Sequence, residues 1–301
     1  MAALHWLIHF LNDPQSQLRV VYLDHQLREV GHEKALILAL GNQYGLKTHI
    51  RKLPVQVYAT RHRCSIETAG RHLRRRLLAH LANGHGASAV ITAHHRDDAC
   101  ESLMMQLLRG AKSGWVGMRP IQSLDQHLQL VRPLMATTKS EILKVVEEQG
   151  WQYCVDPTNA DPSFTRNRIR HQLMPHLEKL DPNYADKFWK TMTYLQEVSL
   201  GIDDTILPIL AQVEVENGQV QISREVVSAL PDWLLKPFLL RFLQRHVTPD
   251  QPDKQIVDVQ VSNIVKLVRR GFGQWSLPGG GRLEVEKSRI ILYDNGCEKP
   301  S

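Results

Sequence analysis

Apolar positions in the first half of this chain recur with two periods in alternation. Short runs carrying Val, Ile or Leu at 18–23, 48–53 and 87–92 have strand length, while apolar residues three and four apart mark helices at 33–44, 66–82 and 97–108. Alternating strand and helix predicts a doubly wound α/β domain, a parallel sheet covered on both faces. The opening run, 1–11, is apolar around most of its circumference and predicts a helix buried inside the protein. It has no basic lead and no small-x-small cleavage site, so it is not a signal peptide. Further on, 139–149 predicts an amphipathic helix closed by Gly150, Asp156-Pro157-Thr158-Asn159 is turn chemistry, and a helix opens at Thr165.

From Asp181 the texture changes. Helices are expected over 185–213, 234–246 and 262–270, with a hairpin over 213–222 around Asn217-Gly218 and a charged, proline-containing link over 248–254. Strands at 274–277, 282–286 and 289–293 follow, the first two joined by Gly279-Gly280-Gly281. The predicted organisation is an α/β domain over 1–180, a helical linker over 181–212 and a smaller α+β domain over 213–301.

Composition narrows the class without deciding it. With 301 residues, 43% hydrophobic and 23% charged, the chain has room for two modest domains and a sizeable core. A formal net charge of +6 favours a polyanionic partner, and Arg241, Arg245, Lys266, Arg269 and Arg270 offer an RNA surface in the second domain. The cysteines Cys64, Cys100, Cys154 and Cys297 form no Cys-x-x-Cys pair, so neither a zinc ribbon, an iron-sulfur site nor a disulfide framework is indicated. The expected compartment is the reducing cytoplasm, and no run has the length of a membrane span.

The densest chemistry lies in Thr92-Ala93-His94-His95-Arg96-Asp97-Asp98-Ala99-Cys100-Glu101-Ser102, between a predicted strand and a predicted helix. That turn sits at a strand's carboxyl end, where open α/β sheets place ligands. With the helix starting at Asp97 or Asp98, Asp98 and Glu101 fall on its first turn beside unpaired backbone N–H groups, a place suited to phosphate or a metal–phosphate complex. The same spacing is also a capping box, which would satisfy the helix's own donors. Arg166 and Arg170, four apart, share a helix face that is either solvated or a clamp on phosphate. The loop Gly110 to Gly117 matches neither the dinucleotide fingerprint nor a Walker loop.

Taken in order, these segments resemble the tRNA(Ile)-lysidine synthetases of the N-type PP-loop ATP pyrophosphatase superfamily. The likeness rests on Asp24-His25-Gln26-Leu27-Arg28, Glu67-x-x-x-Arg71-x-x-Arg74, His94-His95-x-Asp97-Asp98-x-x-Glu101, and Leu108-Arg109-Gly110 to Gly117-Met118. Arg132-Pro133-Leu134, Asp156-Pro157-x-Asn159, and Arg166-Asn167-x-x-Arg170 with Pro175 complete it. It runs through the first ~180 residues and more weakly beyond, and an ordered set is far more specific than any one motif.

The resemblance implies a cytoplasmic enzyme that uses ATP and Mg²⁺ to adenylate the wobble cytidine of an isoleucine tRNA with a CAU anticodon, after which the ε-amine of L-lysine displaces AMP. It implies that Asp98 and Glu101 hold Mg²⁺ or the lysine ammonium and that His94 contacts the reacting nucleotide. Arg74, Arg166, Arg170 and His95 would bind substrate or phosphate. No membrane partner is implied, and a homodimer is left open. Three departures stand out. The Ser-Gly-Gly-x-Asp-Ser loop is absent and would sit just before Met1; position 99 is Ala where Gln is usual; position 75 is Arg where Tyr is usual. The first departure carries the expectation that this form is impaired or inactive unless the true start lies upstream. Two other readings compete: a tRNA-binding protein without catalysis, and a metal-dependent phosphohydrolase using His94, His95, Asp97 and Asp98 as ligands.

Overall fold

In the computed structural model, which describes residues 1–110, 117–124, 127–162, 164–216, 219–247, 258–277 and 280–293, the alternation of the first half is realised element by element. The order is α1 (Ala2–Phe10), α2 (Pro14–Gln17), β1 (Arg19–Asp24), α3 (Gly31–Tyr44), β2 (Lys47–Lys52), α4 (Val55–His62), α5 (Ile66–Gly84), β3 (Ala89–Ile91) and α6 (Arg96–Leu108). Then come β4 (Ile121–Ser123), β5 (Gln129–Val131), α7 (Lys139–Glu148), a 3-10 turn (Pro157–Ala160), α8 (Thr165–Arg168), a π turn (Ile169–Leu173), α9 (Met174–Leu180) and the long α10 (Tyr184–Leu210). The chain divides into two units, 1–109 with 117–192, and 110–116 with 193–301.

The parallel pairing expected of an α/β unit is present, but in two ladders. β1 pairs parallel with β2 in the register Arg19↔Lys47 to Asp24↔Lys52. β3 pairs parallel with β5, and β4 joins β5 from the other side, antiparallel. Among the described residues no ladder joins β1 to β3. Gly41 lets α3 close onto β2, since a Cβ there would fall 2.1 Å from Thr48 Oγ1. Gly150, at φ +63°, stops α7 in the left-handed conformation that glycine adopts without strain.

The first helix departs from expectation. Ala3 and His5 are its buried residues, while Trp6 and Phe10 stack on each other at 4.9 Å and stay exposed. The buried His5 ring lies flat on Trp151, 4.6 Å away. The glycine-spaced loop (111–116), the hairpin tip (217–218), the charged link (248–254) and part of the triple-glycine turn (279) lie outside the described residues.

Two apolar clusters grip α6 and thereby position the site. Ala99 and Leu103 pack with Met135 and Met192, and Cys100 and Met105 pack with Ile169 and Met174. Buried completely in the first cluster, Ala99 has apolar side chains where a glutamine amide would need hydrogen-bond partners.

The second unit contains β6 (Glu214–Glu216), β7 (Gln219–Ser223), α11 (Arg224–Ser228), α12 (Asp232–His246), α13 (Asp258–Arg270), β8 (Gly273–Ser276), β9 (Arg282–Val285) and β10 (Arg289–Tyr293). Its strands form one antiparallel sheet in the order β6-β7-β10-β9-β8. Leu235, Phe238, Leu239, Phe242 and Leu243 of α12 pack with Val261, Ile264 and Val268 of α13 in a core sealed by Leu283 and Ile290. Burial of each such side chain stabilises by roughly 1.5–3 kcal/mol. Among the described residues of the chain, no helix is long and apolar enough to cross a membrane.

Candidate active site

Four residues separate the end of β3 from the start of α6, so the acidic turn opens at the carboxyl end of a parallel strand. α6 begins at Arg96, one residue earlier than the pattern predicts, with His95 as its cap. The His95 N–H donates to Asp98 Oδ2 at 3.0 Å, so one oxygen of Asp98 closes the helix end. The other oxygen, Oδ1, accepts from Arg166 Nη2 at 2.9 Å and Arg170 Nη2 at 3.3 Å. Capping and charge binding, alternatives in the sequence, are divided between the two oxygens of one carboxylate.

Glu101 is almost fully buried and takes no part in capping. Its Oε2 accepts from Arg166 Nε at 2.6 Å and from Arg170 Nη2 at 3.0 Å, and its Oε1 accepts from Arg170 Nε at 2.6 Å. Burial works against the Arg170 cation, yet the Glu101 and Asp98 contacts outweigh it and raise its pKa. Asp98, Glu101, Arg166 and Arg170 are therefore one charge cluster on facing elements. A clamp of this kind is stronger and more directional than a single-point ion pair.

Neighbouring segments aim the two arginines. Asn167 is buried between them in sequence and donates to Thr158 O and Asp161 O, both at 2.8 Å, which pins the 3-10 turn against α8. Asn159 Oδ1 accepts from Arg170 Nη1 at 3.3 Å. Arg170 itself rides on the π turn, a wider helical turn that recurs at functional sites. Arg28 ties in the remaining segment: its Nε donates to Asp156 Oδ1 at 3.1 Å and its Nη2 to Glu33 Oε1 at 2.6 Å.

Asp97 and His95 are turned inward on the protein. Asp97 Oδ2 accepts from the Lys139 N–H at 2.8 Å, joining the starts of α6 and α7. Burial pushes the Asp97 carboxyl up, but its hydrogen bonds to His95 and Lys139 prevail and hold it below the usual range. The His95 ring sits 3.3 Å from Asp97 Oδ2 and 3.4 Å from Asp98 Oδ2, inside the acidic turn. No group of three or more His, Cys, Asp or Glu able to hold a metal occurs among the described residues, which removes the four-ligand reading of this turn.

His94 lies in the turn between β3 and α6. Its Nδ1 lies 2.9 Å from Thr92 Oγ1. Burial lowers its pKa to about 4; Asp98 opposes the shift, while Arg132, Arg166 and Arg74 reinforce it. The imidazole is neutral at physiological pH and surrounded by guanidinium charge. In the unfolded chain the same ring takes a proton near 6.5, so the unfolded state binds more protons in the window between. Its contribution to stability is complete above that window and is lost as the pH falls from 6.5 toward about 4. We expect the His94 ring resonances in an NMR titration to stay flat between about pH 5.5 and 8. A midpoint near the ordinary histidine value would show that the ring is solvated.

Arg74 and Arg132 complete the positive lining. Arg74 comes no closer than 3.5 Å to His25 Nε2, a long and weak contact, and burial together with Arg71 and Arg166 pushes its pKa down. Sequence reasoning placed Arg132 in a motif but gave it no role. It is buried, donates to Arg119 O at 2.6 Å and to Gln122 Oε1 at 3.2 Å, and has no carboxylate partner among the described residues. The only signal in the sequence was its place in the Arg132-Pro133-Leu134 motif. Separate from this group, a cavity of about 460 Å³ is lined by His32, Leu36, Trp151, Gln152, Tyr153 and Cys154 and contains none of the cluster's side chains.

Residues 1–177 match the family model described as the PP-loop domain. The chain is 34% identical to the tRNA(Ile)-lysidine synthase of Geobacter sulfurreducens, an alignment covering 92% of this chain and 67% of that protein. It is 41% identical to the synthase of a Bradyrhizobium species over 55% of this chain and 46% of that protein. With the synthase of Bacteroides thetaiotaomicron the identity is 30%, covering 64% of this chain and 45% of that protein. The chain thus spans about half to two thirds of the length of these curated relatives.

Proposed function

Because the chain belongs to the PP-loop domain family, we propose that it uses ATP to activate the wobble cytidine of an isoleucine tRNA with a CAU anticodon and joins lysine to it. The base oxygen attacks the α-phosphorus of ATP and pyrophosphate leaves; the lysine ε-amine then attacks the base carbon and AMP departs with that oxygen. The observation that carries this reading is the half-buried ring of His94, its Nδ1 held at Thr92 and its proton disfavoured by the charges of Arg132, Arg166 and Arg74. Fixed cations in a partly dry site stabilise charge as it moves onto phosphate, at little reorganisation cost. With Nδ1 held at Thr92, His94 keeps Nε2 for the reacting nucleotide.

Asp98 and Glu101 serve the cationic partner. Their oxygens already hold two guanidiniums, so the pair accepts an organic cation such as the lysine ammonium when an arginine is released. The same all-oxygen donor set suits Mg²⁺, which is ordinarily held by one or two carboxylates with substrate phosphates completing its shell. Bound there, Mg²⁺ would neutralise phosphate charge. Arg170, freed by that exchange, would turn to the phosphates, while Arg166 stays fixed beside them.

The test is direct. The purified protein, supplied with labelled lysine, ATP and the CAU-anticodon tRNA, is expected to place label in the tRNA and release AMP. Retained tRNA binding with no label transferred would instead favour the binding-protein reading.

A further inference from the structure

The hairpin of α4 and α5 carries a strip of cationic side chains that the site above does not use. Between Val55 and Gly84 there are six arginines and one acidic residue, Glu67. Arg74 points into the site, and Glu67 lies 3.8 Å from Arg109. The remaining five, Arg61, Arg63, Arg71, Arg75 and Arg76, are all exposed. Among the described residues none of them has an ion-pair partner. In the second unit Arg241 is paired with Asp203 and Arg269 with Asp232, and Arg270 lies 4.4 Å over the Phe272 ring, while Arg245 and Lys266 have no ion-pair partner among the described residues.

The strip is also shaped. Leu53, Val55, Ala59 and Ala69 bury the inner face of the hairpin, with Leu73 and Leu77 packed against them. At 100° per residue this leaves Arg71 and Arg75 on the face of α5 opposite the buried stripe, about 6 Å apart along the axis, with His72 and Arg76 on its flank. Tyr58 of α4 stacks on His62 at 4.1 Å and on His72 of α5 at 5.4 Å, which holds the arginine-bearing end of α4 against that flank. Like charges one turn apart destabilise a helix slightly, and no carboxylate relieves them here. A polyanion would.

We propose that this face of α4 and α5 is the track on which the RNA backbone lies while its target base is held in the site. The inference rests on the functional reading above and adds to it the surface of the first unit that binds the substrate. Two features favour RNA. Arg74, one turn beyond Arg71 on the same helix, belongs to the site, so the strip begins at the site's edge. Guanidinium, moreover, pairs with phosphate through two parallel hydrogen bonds.

The experiment compares three proteins: the wild type, a strip variant Arg61→Gln/Arg75→Gln/Arg76→Gln, and a control of equal charge change, Lys144→Gln/Lys179→Gln/Lys190→Gln, at exposed lysines of α7, α9 and α10. Binding to a CAU-anticodon tRNA transcript is followed across a series of salt concentrations. The strip variant is expected to lose roughly tenfold or more in affinity and to show a salt slope shallower by about 2–3, one unit per lost phosphate contact. The control should keep the wild-type slope. Thermal melts check that each variant is folded. Equal slopes in strip variant and wild type would sink the track alone, and so would an equal loss in the control. Failure of the wild type to bind the tRNA would sink the functional reading beneath it.

Discussion

Glu101→Gln is expected to destabilise the protein by about 2–4 kcal/mol and to abolish lysine transfer. Removing one member of a buried ion pair costs about 3–5 kcal/mol, because the partner is left as an uncompensated charge. Here two guanidiniums lose the more buried of their two shared counter-ions and keep only Asp98 Oδ1, at 2.9 and 3.3 Å. Their side chains keep 29% and 22% exposure, however, so water recovers part of the loss and the expected cost falls to about 2–4 kcal/mol. The glutamine also turns an N–H₂ toward arginines that can only donate. Urea unfolding should show a lower midpoint at unchanged slope. Glu101→Asp should restore little, since a carboxylate one methylene shorter cannot meet Arg166 Nε and Arg170 Nε together at 2.6 Å. A wild-type midpoint in Glu101→Gln would mean that the cluster contributes nothing to the fold.

The sequence made some of this arrangement legible and hid the rest for physical reasons. Local periodicity revealed α3, α5, α6 and α7, because each buries one stripe against a neighbour. It missed α4, whose Val-Gln-Val-Tyr start reads as a strand, and it missed β4 and β5, which at three residues each are too short to show a period. Pairing partners were harder still. β7 pairs with β10 some seventy residues later, and nothing in either strand's own pattern names the other. The expected single sheet appears as two ladders for the same reason: strand pattern fixes which face is buried, not which edges meet.

At the site, motifs supplied the residues but not their partners. Spacing placed Asp98 and Glu101 on one turn and Arg166 and Arg170 on another. It could not show that the carboxylates hold those arginines, because the link spans 65 to 72 residues. Asp97, chemically indistinguishable from Asp98 in the sequence, is spent on the start of α7. Asn167, named in the motif without a role, is the side chain that fixes the turn facing the two arginines. Among the charged groups of the second unit, Arg241 and Arg269 are already neutralised, which sequence alone could not distinguish from a free basic face.

Arg166→Ala is expected to separate what Glu101→Gln confounds. Glu101 keeps Arg170 in this variant, through Nε at 2.6 Å and Nη2 at 3.0 Å, so no buried carboxylate is orphaned and stability should change by about 1 kcal/mol or less. Ligation should nevertheless fall about 10²–10³-fold, the usual loss when one fixed donor to a developing oxyanion is removed. Arg166→Lys tests whether charge alone is enough. A lysine ammonium is a point charge that cannot reproduce the planar donors now reaching Glu101 Oε2 and Asp98 Oδ1, so rescue should be slight. Single-turnover transfer of labelled lysine reports the chemistry, and urea midpoints report the fold. If Arg166→Ala ligates at the wild-type rate, the arginine is a structural counter-ion only. If it unfolds as readily as Glu101→Gln, the two arginines do not share their carboxylate as the geometry requires, and the exchange of guanidinium for substrate cation loses its basis.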